Sequence, residues 1–149
     1  MTKEKALNFK FINIKTNEFA IIEKDYLKDG ISSLNSSLNF RADPDKKIIG
    51  VKTKFQFEQK EKPILIIAIT CTFGIDNKSW QKILSKESNA LVLPKNFAAH
   101  LVLLAVGTTR GVLHEKTENT PFNRFILPPI NVTKLIKEDV TIKLAKEEK

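Results

Sequence analysis

The feature that most constrains this fold is a long helical segment that is apolar around almost its whole circumference. No proline interrupts the chain between Pro94 and Pro121, so residues 95–116 can form one continuous helix. The centre of this segment, residues 97–106 (FAAHLVLLAV), is apolar on nearly every side. Such a helix in a water-soluble protein is buried on several sides, so other parts of the chain, or other chains, must cover it.

Period-two alternation of apolar and polar residues precedes this helix and predicts a β-sheet. In the clearest strand, Ile49, Val51, Thr53, Phe55 and Phe57 share one face. The last strand is apolar on both faces, which predicts a strand that is covered on two sides. The four predicted strands occupy residues 7–19, 34–42, 49–57 and 64–73.

The segments around the long helix are shorter and less regular. Residues 76–89 fit a short helix or a packed loop, and paired prolines make residues 119–130 an extended loop. Asn131 is a predicted N-cap for a short helix, and residues 137–149 fit a short strand or a frayed helix. The sequence therefore predicts one α+β domain, spanning residues 1–149, in which an antiparallel sheet packs against a long apolar helix.

Charge and composition favour a binding protein in the cytoplasm. The net charge of +8 comes mostly from Lys that is interspersed with acids, which is typical of a solubilising surface and makes nucleic-acid binding the less favoured alternative. Cys71 has no cysteine partner, which favours a reducing compartment. The N-terminal residues do not form a signal peptide, and no apolar stretch approaches the ~18 residues needed to cross a bilayer.

The sequence offers few groups for catalysis. His100 and His114 are about 21 Å apart along the predicted helix, too far to share a metal ion. Cys71 lies in a predicted strand without a glycine-rich turn, a poor setting for a nucleophile. Phosphate-loop, dinucleotide and zinc motifs are missing as well. We therefore expect neither an enzyme nor a bound metal or cofactor.

The C-terminal third resembles the SecB family of protein-export chaperones. The resemblance lies in Leu93-Pro94 before the apolar helix, Thr109-Arg110-Gly111 near its end, and residues 125–132 (FILPPINV) before a second helix. It implies a four-stranded antiparallel sheet with one long helix and one short C-terminal helix. It also implies dimers or a dimer of dimers, joined through sheet edges and long helices. Its implied activity is ATP-independent holding of non-native polypeptides in apolar grooves.

The resemblance also directs the choice of binding residues. Phe122 and Phe125 are expected to be an exposed pair, whereas the strand phenylalanines fit either a groove or an ordinary core. The expected groove residues are Phe9, Phe11, Phe40, Phe55, Phe57, Phe122, Phe125, Leu127 and Ile130. The expected oligomer interface on the long helix consists of Leu101, Leu104, Gly107 and Gly111.

The partner protein is less defined than the binding surface. Export chaperones of this family use acidic surfaces to dock the SecA translocation motor, whereas this chain is basic, with a pI of about 9.6. The charge argues against that motor as a partner. A small adaptor, or an antitoxin chaperone with one dedicated protein partner, remains the alternative to a general export chaperone.

Overall fold

The structure, a computed structural model, describes residues 6–144 and has the predicted α+β architecture. Four long strands come first, followed by a short helix, a small sheet, a long helix and a short C-terminal helix. The elements are β1 (Phe9–Ile21), β2 (Ser32–Asp43), β3 (Ile48–Gln59), β4 (Lys62–Ile75), α1 (Asn77–Ile83), β5 (Leu84–Ser85), β6 (Ala90–Leu93), α2 (Lys95–Lys116), α3 (Val132–Leu135) and β7 (Val140–Lys143).

The long strands form one antiparallel sheet in the order β1-β4-β3-β2. Along β3, the side chains of Ile49, Val51, Thr53, Phe55 and Phe57 are buried on one face, while the residues between them are more exposed. We call this buried side the inner face of the sheet and the opposite side the outer face. The predicted four-stranded antiparallel sheet, with its long and short helices, is confirmed.

Helix α2 begins and ends at the predicted residues and lies over the inner face of β3 and β4. The Thr53 and Thr109 hydroxyls are 2.7 Å apart, and Thr109 also donates to the Ala105 carbonyl, so buried polar atoms where helix meets sheet are satisfied. By length and composition α2 is apolar enough to cross a membrane, contrary to the expectation that no stretch approaches that length. However, its side chains Ala98 and Val102 are buried within the protein.

Within residues 6–144, the chain itself covers the inner face of β4 more fully than the outer face, and cover on the second face stays a prediction. The inner-face residues of β4, including Ile67, Ile69 and Cys71, are fully buried, whereas Thr70 and Thr72 lie half-buried on the outer face. Threonine is β-branched and suits a strand, but its hydroxyl tolerates water. The β-branched run therefore indicated a strand correctly, and the described chain covers the outer face of that strand only in part.

The pair Phe122 and Phe125 is buried, contrary to the expectation of an exposed pair. The Phe122 ring is 4.6 Å from the Tyr26 ring, and the Phe125 ring is 5.2 Å from the Phe57 ring. Arg124 covers this aromatic cluster, because its guanidinium lies 4.6 Å from the centre of the Phe125 ring and its Nε donates to the Tyr26 hydroxyl. The paired-proline segment thus folds back onto the end of the sheet.

A second sheet, formed by β5, β6 and β7, was not predicted. Its pairing joins residues about fifty positions apart, from Ala90 with Lys143 to Leu93 with Val140. Strand β7 confirms the short strand expected in the C-terminal tail, whose last five residues lie outside the described part.

Asp76 caps α1, and a 2.7 Å hydrogen bond from the Ser79 N–H holds the pKa of the Asp76 carboxyl below its usual range.

Candidate polypeptide-binding groove

Strand β1 lies at the edge of the main sheet, and its inner face extends beyond the cover that α2 provides. Irregularities in pairing with β4, between Phe11 and Asn13 and between Thr16 and Glu18, shift which residues face inward. Phe9 and Phe11 pair with inner-face residues of β4. After the first shift, Ile14 pairs with Cys71 and therefore also faces inward. Phe9, Phe11 and Ile14 thus lie on one side of β1, together with Phe19 and Ile21 further along the strand.

The middle of this apolar face is open to solvent. Phe11 is 40% exposed and Ile14 is 50% exposed, although Phe11 packs against the buried Phe73 with its ring centre 4.8 Å away. At the start of the strand, the Phe9 ring lies 5.6 Å from the Phe97 ring and 5.8 Å from the His100 ring of α2. The apolar floor of the sheet therefore continues outward past the helix. We call the surface formed by Phe9, Phe11, Ile14 and Phe97 the β1–α2 groove.

A cavity of about 660 Å³ opens at the end of the groove that Phe9 and Phe97 form. Its apolar walls come from Leu7, Phe9, Ile83 and Phe97, and Lys82 and His100 supply polar atoms. This volume can hold a large aromatic or aliphatic side chain from another molecule. The cavity lies between the start of β1, the end of α1 and the first turn of α2, so three separate segments build it.

The other predicted groove residues are divided between core and surface. Phe55, Phe57 and Leu127 are buried in the protein, so they are not available to another chain in this conformation. Phe40 and Ile130 are half-buried. Ile130 lines a small hollow of about 80 Å³ between α2, β2 and the C-terminal segment, on the far side of α2 from β1.

The exposed face of α2 includes most of the predicted oligomer interface. Leu101 is wrong as an interface residue, because it is fully buried in the core. Leu104 is half-buried, and Gly107 and Gly111 are exposed. Beyond the backbone of α2 itself, no atom of the described chain lies within 4 Å of the point where a β-carbon would stand at either glycine. Leu103, which was not predicted, is 52% exposed and lies one turn before Gly107.

Ile14, Leu103 and Phe97 are the groove and surface residues that the sequence pattern missed. Ile14 is out of phase with Phe9 and Phe11, and only the irregular pairing with β4 brings it to the same face. Leu103 lies in a helix whose apolar residues point in all directions, so the pattern did not reveal which of them face solvent. A helical-wheel projection centred on the two glycines would have identified Leu103, which is four residues before Gly107.

Comparison with known proteins finds similarity to solved structures alone. The chain is similar to a SecB-like chaperone. This is Rv1957 of Mycobacterium tuberculosis, whose structure is a complex with a ChAD peptide from the Rv1956 HigA1 antitoxin. The alignment covers 83% of this chain and 91% of that chain, with 8% sequence identity and a TM-score of 0.49. A protein of unknown function from Streptococcus agalactiae matches over 85% of this chain and all of its own length, with 13% identity and a TM-score of 0.38. No protein family and no curated protein matches the sequence.

The ionisable side chains near the groove are Lys82 and His100 at its end and the buried Cys71 beneath it. Burial raises the pKa of the Cys71 thiol, and a hydrogen bond with Thr108 offsets only part of that rise. The thiol is therefore protonated at neutral pH and is shielded under α2. Within residues 6–144, no group of three His, Cys, Asp or Glu side chains lies close enough to hold a metal ion. The groove can offer apolar contact and a few hydrogen bonds at its end.

Proposed function

We propose that this protein is an ATP-independent chaperone that holds non-native polypeptides in the β1–α2 groove. The observation that carries the proposal is the continuous apolar surface on which Phe11 and Ile14 are 40% and 50% exposed, next to a cavity lined mainly by apolar residues. Native monomers rarely leave large apolar side chains grouped on one surface unless that surface binds something. Apolar burial has no directional requirement, so it tolerates many client sequences.

The size of the groove is consistent with weak, reversible capture. Burial of each exposed apolar side chain contributes about 1 to 2 kcal/mol. A dissociation constant near 1 μM requires about 8 kcal/mol, which is the gain from about four to eight such contacts before any of it is lost to ordering the client. The groove and its cavity offer about this number at most, so one client segment is held weakly and its release needs no ATP-driven step.

The exposed face of α2 supports an accompanying proposal, that the protein assembles into a homodimer or homotetramer. A glycine inside a helix costs about 1 kcal/mol relative to alanine, and α2 contains two of them on its exposed face. Within the described chain, nothing near Gly107 or Gly111 would obstruct an alanine. If the α2 helix of a second copy packs closely against Leu103, Leu104, Gly107 and Gly111, the absence of side chains at the two glycines lets the helix backbones approach. This contact would explain why glycine occupies both positions despite its cost to the helix.

The chaperone proposal predicts suppression of client aggregation without nucleotide. Added in stoichiometric amount to a denatured enzyme that aggregates on dilution, the protein is expected to reduce light scattering severalfold, because the groove covers apolar client segments. The same assay with several unrelated clients measures breadth. Suppression of none of them would overturn the proposal.

Breadth of capture separates the leading proposal from its alternative. Suppression across unrelated clients supports a general holdase, whereas binding to one native partner and to no unfolded client supports an adaptor or a dedicated antitoxin chaperone. In either case the buried thiol of Cys71 and the lack of a paired cysteine support a reducing, cytoplasmic setting. Docking to the SecA motor is not part of the proposal, because the chain is basic.

The assembly proposal predicts a smaller particle when a charge is placed on the exposed face of α2. Gly107→Glu is expected to lower the mass measured by multi-angle light scattering from a dimer or tetramer to a smaller species. The substitution should leave the fold intact, because the space beside Gly107 is open. Ser88→Glu, at an exposed turn away from α2, is the control. A wild-type protein that is monomeric at micromolar concentration contradicts the assembly proposal.

A further inference from the structure

The outer face of the sheet, opposite the groove, has a shallow basin of about 310 Å³ that is rimmed by cations. Its floor consists of short residues in the two central strands, Gly50 in β3 and Thr72 in β4. Three exposed cations surround this floor: Lys15 of β1, Arg41 of β2 and Lys52 of β3. We call these residues the cationic basin.

The pairing of the strands explains why these cations meet. Thr70 of β4 is directly opposite both Lys15 of β1 and Lys52 of β3. Two strand spacings therefore place Lys15 about 10 Å from Lys52. Arg41 lies diagonally from Lys52 on β2, at a backbone separation of about 7 Å. The three cations thus come from three different strands and converge on one surface.

None of these three cations has an acidic partner among residues 6–144. The ion pairs in that part of the chain are Lys54 with Glu18 and Lys62 with Asp25, and both lie outside the basin. The Lys54–Glu18 pair lies at one boundary of the basin, because both residues are opposite Ala68, two residues before Thr70 on β4. Neighbouring side chains within the basin are neutral amides and hydroxyls, such as Asn13 and Asn39. Three like charges held together without compensation favour an anionic ligand.

We infer that the cationic basin binds an acidic polypeptide segment that lies extended across the sheet. Alternate residues of an extended chain are about 7 Å apart, which matches the diagonal spacing between Lys52 and Arg41. A bound segment with carboxylates at one position and at the second and fourth positions after it can therefore reach all three cations. The amides and hydroxyls of Asn13, Asn39 and Thr72 can donate to and accept from a peptide backbone. The basin lies on the other side of the sheet from the groove, and its function does not depend on the groove.

The chemistry of the basin fits a peptide better than a nucleic acid. Proteins that bind single strands stack the bases on aromatic side chains, and the residues that line the basin include no aromatic. Duplex binding draws on a longer series of phosphate contacts than three cations in a 310 Å³ basin can supply. A carboxylate-bearing chain needs only charge and hydrogen bonds, both of which the basin has.

The test measures binding of a fluorescein-labelled Glu-Gly-Glu-Gly-Glu-Gly-Glu peptide to the full protein by anisotropy at low and moderate salt. The variant combines Lys15→Gln, Arg41→Gln and Lys52→Gln. A control variant combines Lys24→Gln, Lys86→Gln and Lys137→Gln, which removes the same charge from exposed positions outside the basin. Exposed charge pairs contribute modestly, so the basin variant is expected to bind about fivefold to fiftyfold more weakly, and the control less than about twofold.

Two further arms decide between the possible ligands. A Gln-Gly peptide of the same length should not bind, and a labelled hexathymidine oligonucleotide should bind more weakly than the glutamate peptide. Equal weakening by both triple variants, or tighter binding of the oligonucleotide than of the peptide, overturns the inference. Circular dichroism of both variants establishes that they are folded. Loss of peptide binding leaves client capture unaffected, so this test and the aggregation assay fail independently.

Discussion

Replacing Phe11 and Ile14 with threonine is expected to reduce client capture at least about tenfold, because each substitution removes about 1 to 2 kcal/mol of apolar burial from the complex. Both side chains are substantially exposed and lie in an edge strand. Threonine is β-branched and suits a strand, but Phe11→Thr also removes the contact with Phe73, so circular dichroism at the assay temperature establishes that the variant is folded. The measurement is the concentration of protein that halves client light scattering.

A matched control replaces Ile31 and Ile126 with threonine. These residues are also exposed, but neither belongs to the groove or its cavity. If the groove is the capture surface, the control protein suppresses aggregation as well as wild type does. Equal losses in the two double variants would mean that capture depends on general surface hydrophobicity, and the groove would then have no special role.

Phe122→Ala is expected to lower the free energy of unfolding by about 3 to 5 kcal/mol. The Phe122 side chain is 2% exposed and contacts the rings of Tyr26 and Phe125, so its removal leaves a cavity in a packed cluster. A typical domain is stable by only about 5 to 15 kcal/mol, so this single change removes a large part of the total. Urea unfolding, followed by fluorescence of the buried Trp80, measures the effect.

The neighbouring residue Ile126 supplies the comparison. Its side chain is exposed on the same segment, so Ile126→Ala should change the free energy of unfolding by no more than about 0.5 kcal/mol. Phe122→Leu, which refills most of the cavity, should recover much of the lost stability. If Phe122→Ala were no more destabilising than Ile126→Ala, the aromatic cluster would not be the packed unit that the structure describes.

The elements with a strong local signal could be predicted from sequence. Helix α2 was predicted at its observed bounds because Pro94 and Pro121 frame an uninterrupted helix-forming segment. Asn131 was predicted as an N-cap, and its side chain accepts a hydrogen bond from the Thr133 N–H. Strand β3 followed from its strict alternation. Each of these signals depends on residues close together in the chain.

The features that depend on distant contacts could not be predicted. The sheet of β5, β6 and β7 joins residues 84–93 to residues 140–143, and its strands are too short to show a period. The burial of Phe125 depends on Arg124 reaching Tyr26, about one hundred residues away, while Arg110 of α2 donates to the carbonyls of Leu127 and Pro128 and fastens the same segment. The groove itself depends on an irregularity in β1 that only its pairing with β4 reveals.

The two irregularities in β1 also limit how this edge can polymerise. An unpaired apolar edge strand of thirteen residues would ordinarily be a template for fibril growth, since strands of other molecules could add along its length. In β1, the pairing shifts near Ile12 and near Asn17, and the longest regular stretch between them covers only four residues, 13–16. A foreign strand therefore meets a broken hydrogen-bonding ladder. The edge can therefore bind short apolar segments, while the two irregularities oppose the repeated strand addition that produces amyloid fibrils.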